Sequence, residues 1–347
     1  MVNVDEVEDH YEVVAYINPT EMGNPTSVAF MGTENKTPEQ QVVAYVAPVT
    51  GFQCEWDEIK DLYAQGVSPS KKADVTLRLE GGKLHIDFTS DIGVKLSSIL
   101  TKPSEEDESK ILGKKMSWSE FKSYISKISQ SQYFFRGQKK PWRLRTAFHR
   151  RGRYRLSEFT TKDVPQLHQR LSAITTHYFD LSNPDQNGSF FNLIQHHGYP
   201  TPLLDWTYSP YVSAFFAFRD WPIGYSGKEN NRIYMFNYVD WQKTYPQIQH
   251  LDPAFPHLSV MDFIAIANPR LVPQQAVTTV TNIDDVEAYV REKEAEAGKD
   301  YLQAIDIPAR EREVAMRDLR FMGITAGSMF PSIDGVCEEI RERNFDN

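Results

Sequence analysis

The stretch Leu193 to Phe218, LIQHHGYPTPLLDWTYSPYVSAFFAF, constrains this chain more than any other. Its first residues end an amphipathic helix. Gly198 and the Pro200-Thr201-Pro202 run stop that helix, glycine because its backbone is free to leave the helical region and proline because it lacks the N–H the ladder needs. Leu203-Leu204-Asp205-Trp206-Thr207 then reads as a short buried strand carrying one acid. Ser209-Pro210 has the signature of a helix start, with Ser209 as N-cap and Pro210 at the first helical position. The helix over Tyr211 to Phe218 is apolar nearly all round, which places it inside a core. A polar strand-to-turn segment (Asp205, Thr207, Ser209) backed by a buried helix is a candidate site. The plainer alternative is a junction whose polar residues only cap. Capping accounts for Ser209 and leaves Asp205 without a reason.

A chain of 347 residues suggests about two domains. Its net charge of -9 is that of an ordinary acidic soluble protein. The two cysteines, Cys54 and Cys337, are far apart, so neither a disulfide framework nor a metal cluster is expected, and a reducing, cytoplasmic setting suits them. The acidic start lacks a hydrophobic signal core, and no apolar run approaches the roughly 20 residues of a membrane span. No membrane association is expected. The charge is uneven. Residues 1–110 carry 20 acids against 9 Lys/Arg, whereas residues 131–157 carry nine Lys/Arg and no acid. That basic segment, with interleaved aromatics, can attract phosphates, and Lys139, Lys140, Arg143 and Arg145 are its candidate nucleic-acid contacts. The alternative is a solvated loop with excess charge.

In chain order, residues 1–100 read as a β-rich domain. Val13–Ile17 and Gln41–Val46 are β-branched runs, Trp56–Gln65 a short helix, and Asp74–Leu79 and Lys83–Phe88 a hairpin around Gly81-Gly82. No chemistry is evident there, and a regulatory or partner-binding role is the default. Residues 101–112 read as a linker, and 113–347 as a second domain. That domain opens with a helix over Ser117–Ile128 carrying a capping box, Ser117 with Glu120. A long amphipathic helix is expected over Glu158–Leu181, broken or entered at Pro165, then a polar turn over Asn183–Gly188. Strands are expected at Asn231–Tyr238, Phe263–Ala267, Arg270–Val280 (with Pro273 marking an edge or bulge) and Leu302–Ile307. Helices are expected at Asp284–Lys299, Arg310–Met322 and Ile333–Arg343. Strands and helices mix without regular alternation, which makes the fold class α+β.

Tyr133-Phe134-Phe135-Arg136-Gly137-Gln138 is an aromatic strand that delivers an arginine and then a glycine. Arginine there can hold a phosphate or carboxylate bidentately, and glycine lets another backbone come close. The structural alternative is an arginine paired with a buried acid.

Three segments together resemble the FRG domain family: Phe135-Arg136-Gly137, QHHGYPTPLLDWTYSPYVSAFFAF and GITAGSMFPSIDGV. The resemblance spans roughly Ser117 to Arg343. One departure is Pro202, where the family usually has arginine. A more distant resemblance is to the ADP-ribosyltransferase fold, in which a first strand supplies an Arg or His to NAD. A second strand ends in a Ser/Thr-rich turn before a helix, and a third supplies a glutamate. That resemblance implies an ADP-ribosyltransferase-like mixed C-terminal domain beside a smaller β-rich one. It implies NAD as a substrate, no metal, and a macromolecular acceptor, nucleic acid (RNA favoured) or protein. Arg136, Thr207, Gln275 and Asp205 would be catalytic. Arg136, Gly137, His197, Tyr199, Trp206 and Ser209 would contact the dinucleotide, with Tyr199 or Trp206 stacking on nicotinamide. Gln274-Gln275 stands where the glutamate is expected. Glutamine can orient the ribose but supplies no charge; Asp205, His196 or His197 could compensate if they face the same cleft, or the acceptor could bring its own nucleophile. The implied setting is a toxin in bacterial anti-phage defence or a toxin-antitoxin system, with an antitoxin or chaperone as a possible partner. The alternative is a catalytically inactive nucleotide- or RNA-binding module of the same fold.

Overall fold

The computed structural model describes residues 2–17, 26–49, 54–101, 108–129, 131–251, 253 and 255–345. The expected linker falls largely on residues 102–107, outside that set. The chain divides into two compact units. One comprises Met1–Glu105, Phe148–Leu167 and His250–His257, and the other Glu106–Ala147, His168–Gln249 and Leu258–Asn347.

The first unit is built on a seven-stranded sheet in sequence order: β1 (Val2–Glu6), β2 (Tyr11–Ile17), β3 (Ser27–Gly32), β4 (Glu39–Pro48), β5 (Lys72–Glu80), β6 (Lys83–Ser90) and β7 (Lys95–Thr101). Every neighbouring pair is antiparallel. Alternation sorts β4 cleanly. Val42, Ala44 and Val46 face a core shared with Ala73, Val75 and Leu77 of β5, while Val43 and Tyr45 face solvent. Gly81 and Gly82 both take positive φ between Glu80 and Lys83, as a two-residue hairpin turn requires. Between β4 and β5 lies α1 (Trp56–Ile59), followed by a 3-10 turn over Lys60–Leu62, shorter than the expected helix.

Phe148–Leu167 is held to this sheet by side chains from its first two strands. The Asp5 carboxylate accepts hydrogen bonds from the backbone N–H groups of Tyr154 (2.7 Å) and Arg155 (3.1 Å), and Arg155 ion-pairs with Glu12. The expected long helix over Glu158–Leu181 is instead three pieces and ends early: α4 (Leu156–Glu158), a π-turn over Phe159–Asp163, and α5 (Val164–Leu171), with α3 (Ala147–Arg150) before them. Pro165 cannot donate to the ladder, so the turn ahead of it widens and Val164 N–H bonds Phe159 five residues back.

The second unit has its own seven-stranded sheet, in the order β12-β13-β10-β9-β11-β14-β8. Its strands are β8 (Lys114–Lys115), β9 (Phe134–Gln138), β10 (Leu203–Thr207), β11 (Asn230–Phe236), β12 (Leu258–Met261), β13 (Ala276–Thr281) and β14 (Leu302–Pro308). Only the β14–β8 pair is parallel. The helices are α2 (Trp118–Ile125), α6 (Pro184–His196), α7 (Pro210–Phe218), α8 (Tyr238–Thr244), α9 (Val286–Ala297), α10 (Arg312–Phe321), α11 (Ala326–Met329) and α12 (Ile333–Phe345).

Both faces of this sheet are covered. Phe135, Ile233, Met235, Ile305 and Ile307 pack under α2, α7 and α10. Phe134, Trp206, Tyr234, Phe236 and Ala304 pack with Trp241 of α8 and Val286 and Val290 of α9. The strict alternation at Phe134/Phe135 and Met235/Phe236 is the sequence cause of this two-sided core. Each fully buried aromatic contributes about 1.5–3 kcal/mol by leaving water.

Two expected elements are displaced. Phe263–Ala267 is not a strand; Phe263 lies against Gly188 and the Ile264 carbonyl accepts from Ser189 Oγ (2.8 Å), so α6 satisfies it, while the edge strand is β12 just before it. The polar run Asn183–Gly188 is the first turns of α6, with Asn183 as its N-cap.

Candidate functional site

The stretch from α6 to α7 forms one side of the candidate site, with β9 and the turn ahead of β13 beside it. β13, β10 and β9 are adjacent in the sheet, so the three segments singled out from sequence meet. β10 and β9 share a single ladder pair, Thr207 with Phe135, whereas β10 pairs with β13 along its whole length. Where β9 and β10 part, the Arg136 side chain takes the place of a ladder bond: Nη1 donates to the Asp205 carbonyl at 2.6 Å. Its Nε is buried without a partner. Desolvation pulls the Arg136 guanidinium below the usual arginine value, and attraction to Asp205 opposes that shift. Arg136 is therefore held through a backbone carbonyl, with the Asp205 charge close enough to act on it.

Gly137 serves α7. A Cβ there would lie 1.8 Å from the Ser213 carbonyl oxygen, so the helix backbone occupies the space that sequence reasoning reserved for a ligand. Trp206 is also corrected. It is buried in the second core, with Nε1 donating to Thr279 Oγ1 at 2.9 Å, and its ring sits beside Phe134, so it presents no face to a nicotinamide.

Asp205, Thr207 and Ser209 hold the strand-to-helix turn in different ways. Asp205 Oδ1 accepts from Gln195 Nε2, and Gln195 Oε1 accepts from Thr201 Oγ1, so the helix end, the proline turn and the strand are locked together. Thr207 Oγ1 donates to the Gln274 carbonyl (2.7 Å) and accepts from Ser209 N–H (3.0 Å). Ser209 caps α7 through Val212 N–H (3.2 Å). The two glutamines diverge. Gln274 is buried, its Nε2 donating to the Met329 carbonyl at 2.8 Å. Gln275 is exposed, has a positive φ of 46°, and its carbonyl accepts from Tyr208 N–H at 3.0 Å. A non-glycine residue in that region costs about 1–2 kcal/mol. The expected strand over Arg270–Val280 accordingly begins only at Ala276, with a turn ahead of it.

Behind the turn runs a second polar chain. Asn192 Nδ2 donates to Thr278 Oγ1 (3.3 Å), Asn268 Nδ2 donates to Asn192 Oδ1 (2.6 Å), and His196 Nδ1 lies against the same Asn268 amide. His196 is half-buried against this chain, whereas His197, the C-cap of α6, is exposed. Tyr199 is half-buried beyond it. Tyr208 is half-buried against Tyr238, and burial together with Asp262 pushes its phenol up to about 12.

Sequence reasoning missed two residues. Gln195 stands inside the motif, but its tie to Asp205 depends on the fold of the intervening turn. Arg270 donates from Nη1 to the His196 carbonyl (2.7 Å) and lies over the Phe330 ring at 5.5 Å, with no carboxylate partner among the described residues. Its neighbours are remote in sequence, so no local signal marks it.

The basic segment is the largest correction. Arg143 pairs with Asp285 at 2.9 Å and its side chain is 3% exposed; Arg145 pairs with Asp284 at 2.5 Å. Burial raises the Asp284 carboxyl, and Arg145 works against that. Lys139 Nζ donates to the Asp220 carbonyl (2.8 Å) over the Trp221 ring, leaving Lys140 as the one exposed side chain of the four. Arg153 pairs with Asp163. The acids absent from the local sequence arrive from elsewhere in the fold, and the outward-facing strip expected for nucleic acid is not formed by these four side chains.

Among the described residues, no group of three or more His, Cys, Asp or Glu is placed to hold a metal ion, and no helix is long and apolar enough to cross a membrane. Comparison with curated proteins and with solved structures finds no match. Residues 131–222, which hold β9, α6, β10 and α7, match the family model of the FRG domain.

Proposed function

We propose that the second unit is an NAD-dependent ADP-ribosyltransferase acting on a macromolecular acceptor, nucleic acid or protein. One observation carries the reading. The arginine strand, the strand ending in Thr207-Tyr208-Ser209 and the turn bearing Gln274-Gln275 are neighbours, and Thr207 and Tyr208 are hydrogen-bonded to that turn. In this reading the exposed Gln275 orients the nicotinamide ribose, and His197 and Tyr199 line the approach. Arg136 supplies positive charge where β9 and β10 part. Cleavage of the nicotinamide bond develops oxocarbenium character, which the Asp205 carboxylate stabilises in place of the missing glutamate. The biological setting that suits such an activity is a toxin in bacterial defence, and the first unit is then its regulatory or partner-binding part.

The neutral side chain of Gln275 favours a second reading, a nucleotide-binding module without turnover. Incubation of the full chain with radiolabelled NAD and total cellular RNA, DNA and protein separates the two. Label in one polymer class, reduced about 100-fold by Gln275→Ala, supports transfer. NAD binding without turnover in the folded wild type would overturn it in favour of the second reading.

A further inference from the structure

The C-terminal helix α12 carries its polarity the wrong way round. Its three glutamates face the protein. Glu338 accepts from Arg219 (2.7 Å), Glu339 accepts from Thr325 Oγ1 (2.6 Å) and Gly327 N–H (3.1 Å), and Glu342 lies 4.0 Å from Arg312. Gly335 marks the close approach, since a Cβ there would lie 2.0 Å from the Phe330 carbonyl. The opposite face is apolar and faces water: Ile333 is 83% exposed, Val336 53% and Ile340 36%, with the free thiol of Cys337 exposed among them. These four residues have the spacing of a single helical stripe. An ordinary surface helix buries such a stripe and exposes its acids.

We propose that α12 pairs two copies of this chain, antiparallel, through this stripe. Charge chooses the occupant. Asp334 and Arg341 are exposed, lie on the same flank of the stripe two turns apart, and have no ion-pair partner among the described residues. In a two-fold antiparallel pair, like flanks meet. Asp334 of each copy then stands opposite Arg341 of the other, and one helix satisfies both charges of its twin. Opposed helix dipoles favour the same arrangement. Bringing Asp334 opposite Arg341 puts the two-fold axis between residues 337 and 338. At about 1.5 Å of rise per residue, the two Cys337 positions fall within about 2 Å of each other along the helix axis.

The test uses the full chain at about 100 µM, a concentration that populates even a weak dimer. Light scattering gives the mass, and a short bismaleimide, which joins thiols by addition without any redox change, reports their proximity. A dimer is expected whose cross-link disappears in Cys337→Ser and persists in Cys54→Ser. Ile340→Asp is expected to give a monomer that keeps the circular dichroism spectrum of the wild type, which shows that pairing and not folding is lost. Asp334→Arg or Arg341→Asp alone is expected to weaken pairing about tenfold, and the two together to restore it. A monomeric wild type, a cross-link that survives Ile340→Asp, or a double variant as weak as the singles would overturn the proposal.

Discussion

Single residues decide more here than their chemistry suggests. Gly137 is flanked by an aromatic strand and reads as a ligand position, yet it is a contact between β9 and the α7 backbone. Gly137→Ala is expected to cost about 3 kcal/mol, seen as a lower urea midpoint with an unchanged slope, because the obstructing atom is a backbone carbonyl that moves only with the whole helix. His257 gives the residue-scale pH dependence. Its burial pushes the imidazole down to about 4, from an ordinary value near 6.5. Between those values the unfolded chain binds a proton that the folded chain refuses. Stability from this group is therefore complete above pH 6.5 and is lost as pH falls toward 4, by about 3 kcal/mol in all. A His257→Gln variant, compared with wild type by urea titration at pH 7 and pH 4.5, is expected to lose about 2–3 kcal/mol less on acidification.

At the scale of elements, the lock between α6 and β10 is the feature to break. Gln195→Ala leaves the Asp205 carboxylate and the Thr201 hydroxyl without their shared partner, for about 1–3 kcal/mol. Gln195→Glu sets two carboxylates together, so it is expected to be less stable than the alanine variant at pH 7. It is expected to recover as pH falls and one carboxyl takes up a proton, an order that urea midpoints at the two pH values would reverse if Gln195 did not face Asp205. Local helix and strand signals were legible: the caps at Ser209 and Ser117, the apolar run of α7 and the Gly81-Gly82 hairpin all stand where periodicity and turn chemistry put them. Elements held by distant groups were not legible. Phe263–Ala267 has strand composition, but α6 uses its carbonyl. The basic segment looked unpaired because the acids that meet Arg143, Arg145 and Arg155, namely Asp285, Asp284 and Glu12, lie more than a hundred residues away in sequence. The candidate site divides the same way: Arg136, Asp205 and Thr207 stood out by type and place, while Gln195 and Arg270 are defined by neighbours that only folding supplies.

For the molecule as a whole, the sheet of the second unit is closed by residues from its two ends. β8 pairs with β14, Trp118 N–H donates to Glu311 and its indole to Asp318, and the buried Gln274 is tied to Met329. Synthesis runs in one direction, so β8 has no partner until β14 has been made, and the helices that cover β9 and β11 are not complete until α10 follows. A ribosome-bound chain stalled before residue 300 is expected to be cut by protease throughout this unit. One released after residue 345 is expected to resist. The turn that carries Gln274 and Gln275 is therefore among the last parts of the unit to set, because Met329, which holds Gln274 from across the fold, is made more than fifty residues after it.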